Sequence, residues 1–139
     1  MKVPPNASHA HPAPGETILL VEDEEHVRKL LEDFLVLSGY TVLSAADACG
    51  ALLFIADISH QIDLLLTDIV MPGMNGWELA ERFADARPGA AILAMSGLSG
   101  SAIARPLGAK QNPELLQKPF SLKTLAAAVR EALDTRKTK

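Results

Sequence analysis

Short runs that are apolar at nearly every position recur along this chain, and segments with apolar residues at helical spacing separate them. Ile18-Leu19-Leu20-Val21 is the first run, and it is too short to be a helix. Positions 41–43, 62–67, 91–95 and 115–117 give four more strand candidates. A strand that is apolar on both faces has to be covered on both faces, which is the situation in a parallel sheet flanked by helices.

The intervening segments supply the helices. Val27, Leu30, Leu31, Phe34 and Leu35 recur at helical spacing, and Gly39 is a fitting stop. Ala48, Leu52, Ile55 and Ala56 form a second apolar face; Leu79, Ala80, Phe83 and Ala84 form a third, ending before Pro88-Gly89. Leu122, Leu125, Ala126, Val129 and Leu133 make a last helix with Ser121 as its N-cap. The pattern is a β-α repeat, five times over, with one weak unit. Right-handed crossovers turn such a repeat into an α/β doubly wound parallel sheet, a flavodoxin-like (βα)5 fold with strand order 2-1-3-4-5. Ligands of such sheets bind outside the carboxyl ends of the strands, where the strand order reverses; here strands 1 and 3 flank that point.

Residues 1–15 read as a disordered arm or linker, rich in Pro, Ala and His and without periodicity. His9 and His11 read as solvated residues of that arm. Residues 16–135 read as one folded domain and 136–139 as a basic tail suited to a helix C-terminus. A net charge of -4 argues against nucleic acid or an anionic membrane as partner, and no apolar stretch is long enough to span a bilayer. One cysteine, Cys49, excludes an internal disulfide and suits a reducing compartment, which makes the cytoplasm the expected location. Cys49 itself reads as a small core or helix residue, Trp77 as a partly exposed packing residue, and His26 as a solvated residue on the first helix.

Polar groups stand where the apolar runs stop. Glu22 and Asp23 follow the first strand; Asp68 ends the third, just before the turn Met71-Pro72-Gly73-Met74-Asn75-Gly76; Ser96 ends the fourth and Lys118 the fifth. Adjacent strands lie just under 5 Å apart, so the acids cluster, and three close carboxylates raise one another's pKa. A hard cation such as Mg²⁺ resolves that repulsion. Helix capping explains one acid after strand 1, but not two together with Asp68. Lys118 can neutralise one charge of a phosphoryl group, and the Ser96 hydroxyl can hydrogen-bond a phosphoryl oxygen.

Val21-Glu22-Asp23-Glu24, Leu66-Thr67-Asp68-Ile69-Val70-Met71-Pro72-Gly73-Met74-Asn75-Gly76, Met95-Ser96-Gly97 and Gln117-Lys118-Pro119-Phe120 together resemble the signature of response-regulator receiver domains over roughly residues 16–135. The phrasing around residues 16–24 and 116–121 is similar to receivers at the C-terminus of hybrid histidine kinases. The resemblance implies that Asp68 accepts a phosphoryl group from a phosphohistidine on a kinase or phosphotransfer protein. It implies that Mg²⁺ is held by Asp23, Asp68 and the backbone carbonyl of Val70, with Glu22 acting mostly through water. Ser96 and Lys118 then take the remaining phosphoryl oxygens, and the Lys118-Pro119 bond is cis. The chain is expected to be a phosphoacceptor and not an enzyme in its own right, monomeric or weakly dimeric, and to signal through protein contacts. Either a stand-alone regulator or a receiver excised from a hybrid kinase fits. Leu115 stands where the family usually has Phe or Tyr, and residues 97–113 contain Gly100, Pro106 and Gly108, so the expected output face does not use an aromatic switch and the fourth helix is short or irregular.

Three rival readings differ in class. A haloacid dehalogenase-type phosphatase wants a second acid two residues after its nucleophile, and that position is Val70. A flavodoxin-like cofactor module wants a glycine- or hydroxyl-rich loop after strand 1, where this chain has Glu22-Asp23-Glu24-Glu25. A receiver that has lost phosphorylation would not need all five site residues, which are present.

Overall fold

The computed structural model describes residues 15–97 and 113–136. Five strands, β1 Thr17–Val21, β2 Thr41–Ala45, β3 Leu64–Asp68, β4 Ala91–Ser96 and β5 Glu114–Gln117, form one sheet in the order β2-β1-β3-β4-β5, and every pairing is parallel. The described helices are α1 Glu25–Leu37, α2 Ala48–Ala56, α3 Gly76–Ala86 and α4 Leu122–Thr135. This is the expected doubly wound, flavodoxin-like sheet. The segment expected to hold an irregular helix between β4 and β5 lies outside the described residues, as do His9, His11, Lys137 and Lys139. None of the described helices is long and apolar enough to cross a membrane.

The two-residue period of the strands sorts their side chains into two cores. Ile18, Leu20, Leu64, Leu66, Leu93 and Met95 face one side, where Leu31 and Leu35 of α1 and Leu125, Val129 and Leu133 of α4 cover them. Leu19, Val21 and Leu65 face the other, under Ala51 and Ile55 of α2 and Leu79, Ala80 and Phe83 of α3. Burying each such side chain stabilises the fold by roughly 1.5–3 kcal/mol before entropy is counted. The stripes are narrower than the sequence suggested. Leu30 is exposed because it lies about 100° around α1 from Leu31, and Ala56 is exposed because it lies about 140° around α2 from Ala51. Cys49 is on α2, as expected, but on its exposed side and not in the core.

Local capping fixes where the helices start. Glu24, Asp47, Asn75 and Ser121 each accept a hydrogen bond at the N-terminus of the following helix, from Val27, Gly50, Glu78 and Thr124 N–H. At the pole away from the carboxyl ends, the Arg130 guanidinium makes two 3.0 Å bonds to buried Glu16. Arg136, read as the start of a tail, turns back to lie 3.8 Å from both Glu16 and Asp63. The last helix is thus fastened to the start of β1 and to the residue before β3.

Candidate functional site

The carboxyl ends of β1, β3, β4 and β5 converge on one edge of the sheet, since all strands are parallel and in register. Glu22 and Asp23 leave β1, Asp68 ends β3, Ser96 ends β4 and Lys118 follows β5. Glu22 is 1% exposed, Asp68 6% and Ser96 2%, whereas Asp23 is exposed. Glu22, Asp23 and Asp68 offer carboxylate oxygens that all lie within 4.8 Å of one another. The structure therefore brings together the three acids and the lysine singled out in the sequence.

The Lys118 ammonium donates to Glu22 Oε1 at 2.8 Å and to Asp68 Oδ2 at 3.4 Å. The other Glu22 oxygen accepts the Glu24 N–H at 3.1 Å. Glu22 is thus the principal seat of Lys118, a role the sequence did not suggest, and both of its oxygens are engaged. Burial pushes the Asp68 carboxyl up, the neighbouring Glu22 charge adds to this, and Lys118 only partly offsets them; its pKa rises to about 6. Burial works against the Lys118 ammonium, but its hydrogen bond to Glu22 and the charges of Asp68 and Glu22 outweigh that, so its pKa lies above the ordinary lysine value.

The backbone holds this arrangement. Ser96 O accepts the Lys118 N–H at 2.7 Å, and Ile69 N–H donates to Met95 O at 2.9 Å. The Lys118-Pro119 bond is cis, as the resemblance implied. Gly73 takes a φ of +78°, a conformation that favours glycine, and lets the loop after Asp68 turn back. Gly76 then brings α3 against the acceptor strand: a Cβ there would collide with the backbone of Asp68 and Ile69. The next residue, Trp77, is only 4% exposed, so the expected partial exposure is corrected. With its helix held that close, the indole packs with Ile69 and Ala94, and half-buried Leu115 packs against them. The sequence signal for this contact was the glycine between the turn and the helix. Among the described residues, a Cβ added at Gly97 would meet only the Lys118 stem, at an ordinary contact distance of 3.7 Å. His26 is solvated, as expected.

Two buried carboxylates, an exposed third and a lysine thus meet at the carboxyl edge of a parallel doubly wound sheet, the edge where such sheets bind ligands. The profile of the response regulator receiver domain matches residues 18–130, and the chain belongs to that family: it is a receiver domain of two-component signalling. It is 39% identical over 118 residues to the sensor kinase CckA of Brucella abortus, which covers 85% of this chain but 12% of that protein. It is 34% identical over 116 residues to the response regulator receiver protein CpdR of the same organism, over 84% of this chain and 95% of CpdR. The crystal structure of the receiver domain from the hybrid histidine kinase CckA is similar with a TM-score of 0.71 at 34% identity, over 84% of this chain and 98% of that one. The response regulator TrrA of Thermotoga maritima, in complex with Mg²⁺-BeF, is similar with a TM-score of 0.70 at 29% identity, over 84% of this chain and 98% of that one. The likeness to hybrid-kinase receivers read from the sequence therefore holds, and the chain spans a small part of one such relative and nearly all of CpdR.

Proposed function

We propose that Asp68 is the phosphoacceptor of this receiver. A partner histidine kinase or histidine phosphotransfer protein supplies the phosphoryl group: its phosphohistidine N–P bond breaks, an Asp68 Oδ–P bond forms, and the imidazole leaves. The observation that carries the reading is Asp68 itself, buried at the end of β3, crowded by acids, and 3.4 Å from one ammonium. With a pKa of about 6 it is mainly ionised at neutral pH and free to attack. Phosphoryl transfer asks for positioning and charge neutralisation more than for covalent chemistry by the protein. The product carries roughly -1.5 to -2 charge. In this reading Lys118 would answer part of that charge by moving from Glu22 to the phosphoryl oxygens, and the Ser96 hydroxyl would donate to another.

The donor set fits Mg²⁺. Three close carboxylates are hard oxygen ligands, and burial first, with the Glu22 and Asp23 charges adding to it, raises the Asp68 pKa. Asp23, Asp68 and the backbone carbonyl of Val70 would hold the ion. Glu22 would act through water, in keeping with its engaged oxygens. When bound, the cation neutralises acid and phosphoryl charge and orients one phosphoryl oxygen. The similarity to TrrA, a protein solved with Mg²⁺-BeF, supports this assignment.

In this reading the chain is a phosphoacceptor and not a kinase, works in the cytoplasm, and signals through protein contacts from the unit spanning 16–135. The likeness to CckA favours a phosphorelay setting, and the likeness to CpdR a single-domain regulator. Intact mass after incubation with acetyl phosphate and Mg²⁺ tests the proposal. One Mg²⁺-dependent phosphoryl adduct is expected, absent in Asp68→Asn; an adduct that persists in that variant overturns it.

A further inference from the structure

Among the described helices, α2 alone carries no charged side chain across its nine residues. A helix that is apolar on every side is normally buried on every side. Yet α2 buries only Ala48, Ala51 and Ile55, while Leu53 is 76% exposed and Ile58, just beyond the helix, 91%. Leu53 is three residues from Ala56 and four from Cys49, so these exposed side chains form one strip on the helix surface. The strip borders a shallow groove of about 470 Å³ between α2 and α3, lined by Leu52, Ile55 and Ala56 on one side and by Arg82, Asp85 and Ala86 on the other. Contiguous exposed apolar surface of this kind marks a contact site.

The charges around the groove discriminate between partners. Its lining holds one cation, Arg82, whose 3.6 Å pair with Glu78 of its own helix is exposed and weak, and one anion, Asp85, and α2 adds none. A strongly basic or strongly acidic partner would match one rim charge and oppose the other. A second copy related by a two-fold axis sets Asp85 against Arg82 and Arg82 against Asp85, so both are matched. The chain's net charge of -4 makes two copies repel in general, and an uncharged helix with a balanced rim is the approach that minimises this.

We propose that the α2–α3 face pairs with the same face of a second copy of this chain, with Leu53 near the axis and Arg82–Asp85 pairs crossing it. Helices of nine and eleven residues are about 13 and 16 Å long and pack about 9 Å apart. That face is smaller than the roughly 800 Å² per partner of a standard interface, so the dimer belongs to the weak, reversible class. The lining residues lie in the C-terminal halves of their helices, toward the pole away from Asp68, so the inference does not rest on the phosphoacceptor reading.

Sedimentation equilibrium of the 139-residue chain between about 10 µM and 1 mM tests it. The average mass should rise from monomer toward dimer across that range. Leu53→Glu should shift association to at least about tenfold higher concentration. Arg82→Glu should also weaken it, and adding Asp85→Arg should restore it, because the swapped pair is again self-complementary. Circular dichroism melts establish that each variant is folded, and acetyl phosphate labelling of Leu53→Glu should be unchanged. A chain monomeric throughout, or a dimer indifferent to Leu53→Glu and to the charge swap, overturns the proposal.

Discussion

Replacing the acceptor carboxylate by its neutral isostere should stabilise the metal-free protein. The Asp68 carboxyl titrates at about 6 in the folded chain against 3.8 for the ordinary group, because of burial first and the Glu22 charge second. A raised folded pKa means that the native state holds the proton more tightly than the unfolded state. Stability is therefore full below about pH 4 and is lost as pH rises through about 6. A gap of about 2 units at about 1.36 kcal/mol each sets an upper bound near 3 kcal/mol at pH 7.5. The charges of Glu22 and Lys118 act on Asp68 together with its burial, so the Asn variant should recover about 1–3 kcal/mol of this. It keeps the 2.8 Å Lys118–Glu22 pair and loses only the longer bond to Asp68. Urea unfolding in EDTA gives the number directly. Asp68→Asn should unfold at higher urea than the wild type at pH 7.5, with the gap closing toward pH 4. Mg²⁺ should close or reverse this gap by stabilising the wild type, by about 2.7 kcal/mol at one hundred times Kd. An Asn variant less stable than the wild type at pH 7.5 in EDTA, or a gap that does not change with pH, would refute the electrostatic argument.

Lys118→Met should cost about 3 kcal/mol in the same assay, since it strands the charge of Glu22 in a buried position; Glu22→Gln added to it should recover most of the loss. Gly76→Ala should destabilise by about 1–3 kcal/mol and weaken Mg²⁺ binding by calorimetry, because the added methyl presses on the backbone of Asp68 and Ile69; wild-type stability in that variant would contradict the close approach. Trp77 is the single tryptophan, buried beside Ile69, so its fluorescence should change when Mg²⁺ or a phosphoryl mimic binds, and the change should be absent in Asp68→Asn with the mimic.

Much of this was legible before any coordinates. Apolar residues on both faces of short runs such as Ile18–Val21 require a doubly covered parallel sheet, and polar residues at the ends of those runs follow from where such sheets bind ligands. Periodicity was less exact at the margins, where Leu30 and Ala56 fit a stripe on paper but lie on its flank. Pairings between residues distant in sequence were not legible. Glu22 and Lys118 are 96 positions apart and Glu16 and Arg130 are 114 apart, and spacing along the chain does not say which acid a given cation meets. The burial of Trp77 likewise depends on how closely Gly76 lets α3 approach β3, a tertiary distance.

The central claim is that the phosphoryl group resides on Asp68, and chemical trapping tests it most directly. The protein is labelled with acetyl phosphate and Mg²⁺, reduced with borohydride, which converts an aspartyl phosphate to homoserine, and sequenced as peptides by mass spectrometry. Homoserine at position 68 and nowhere else is the predicted result. Homoserine at another position, or a stable phosphoryl group on Ser96, would contradict the account.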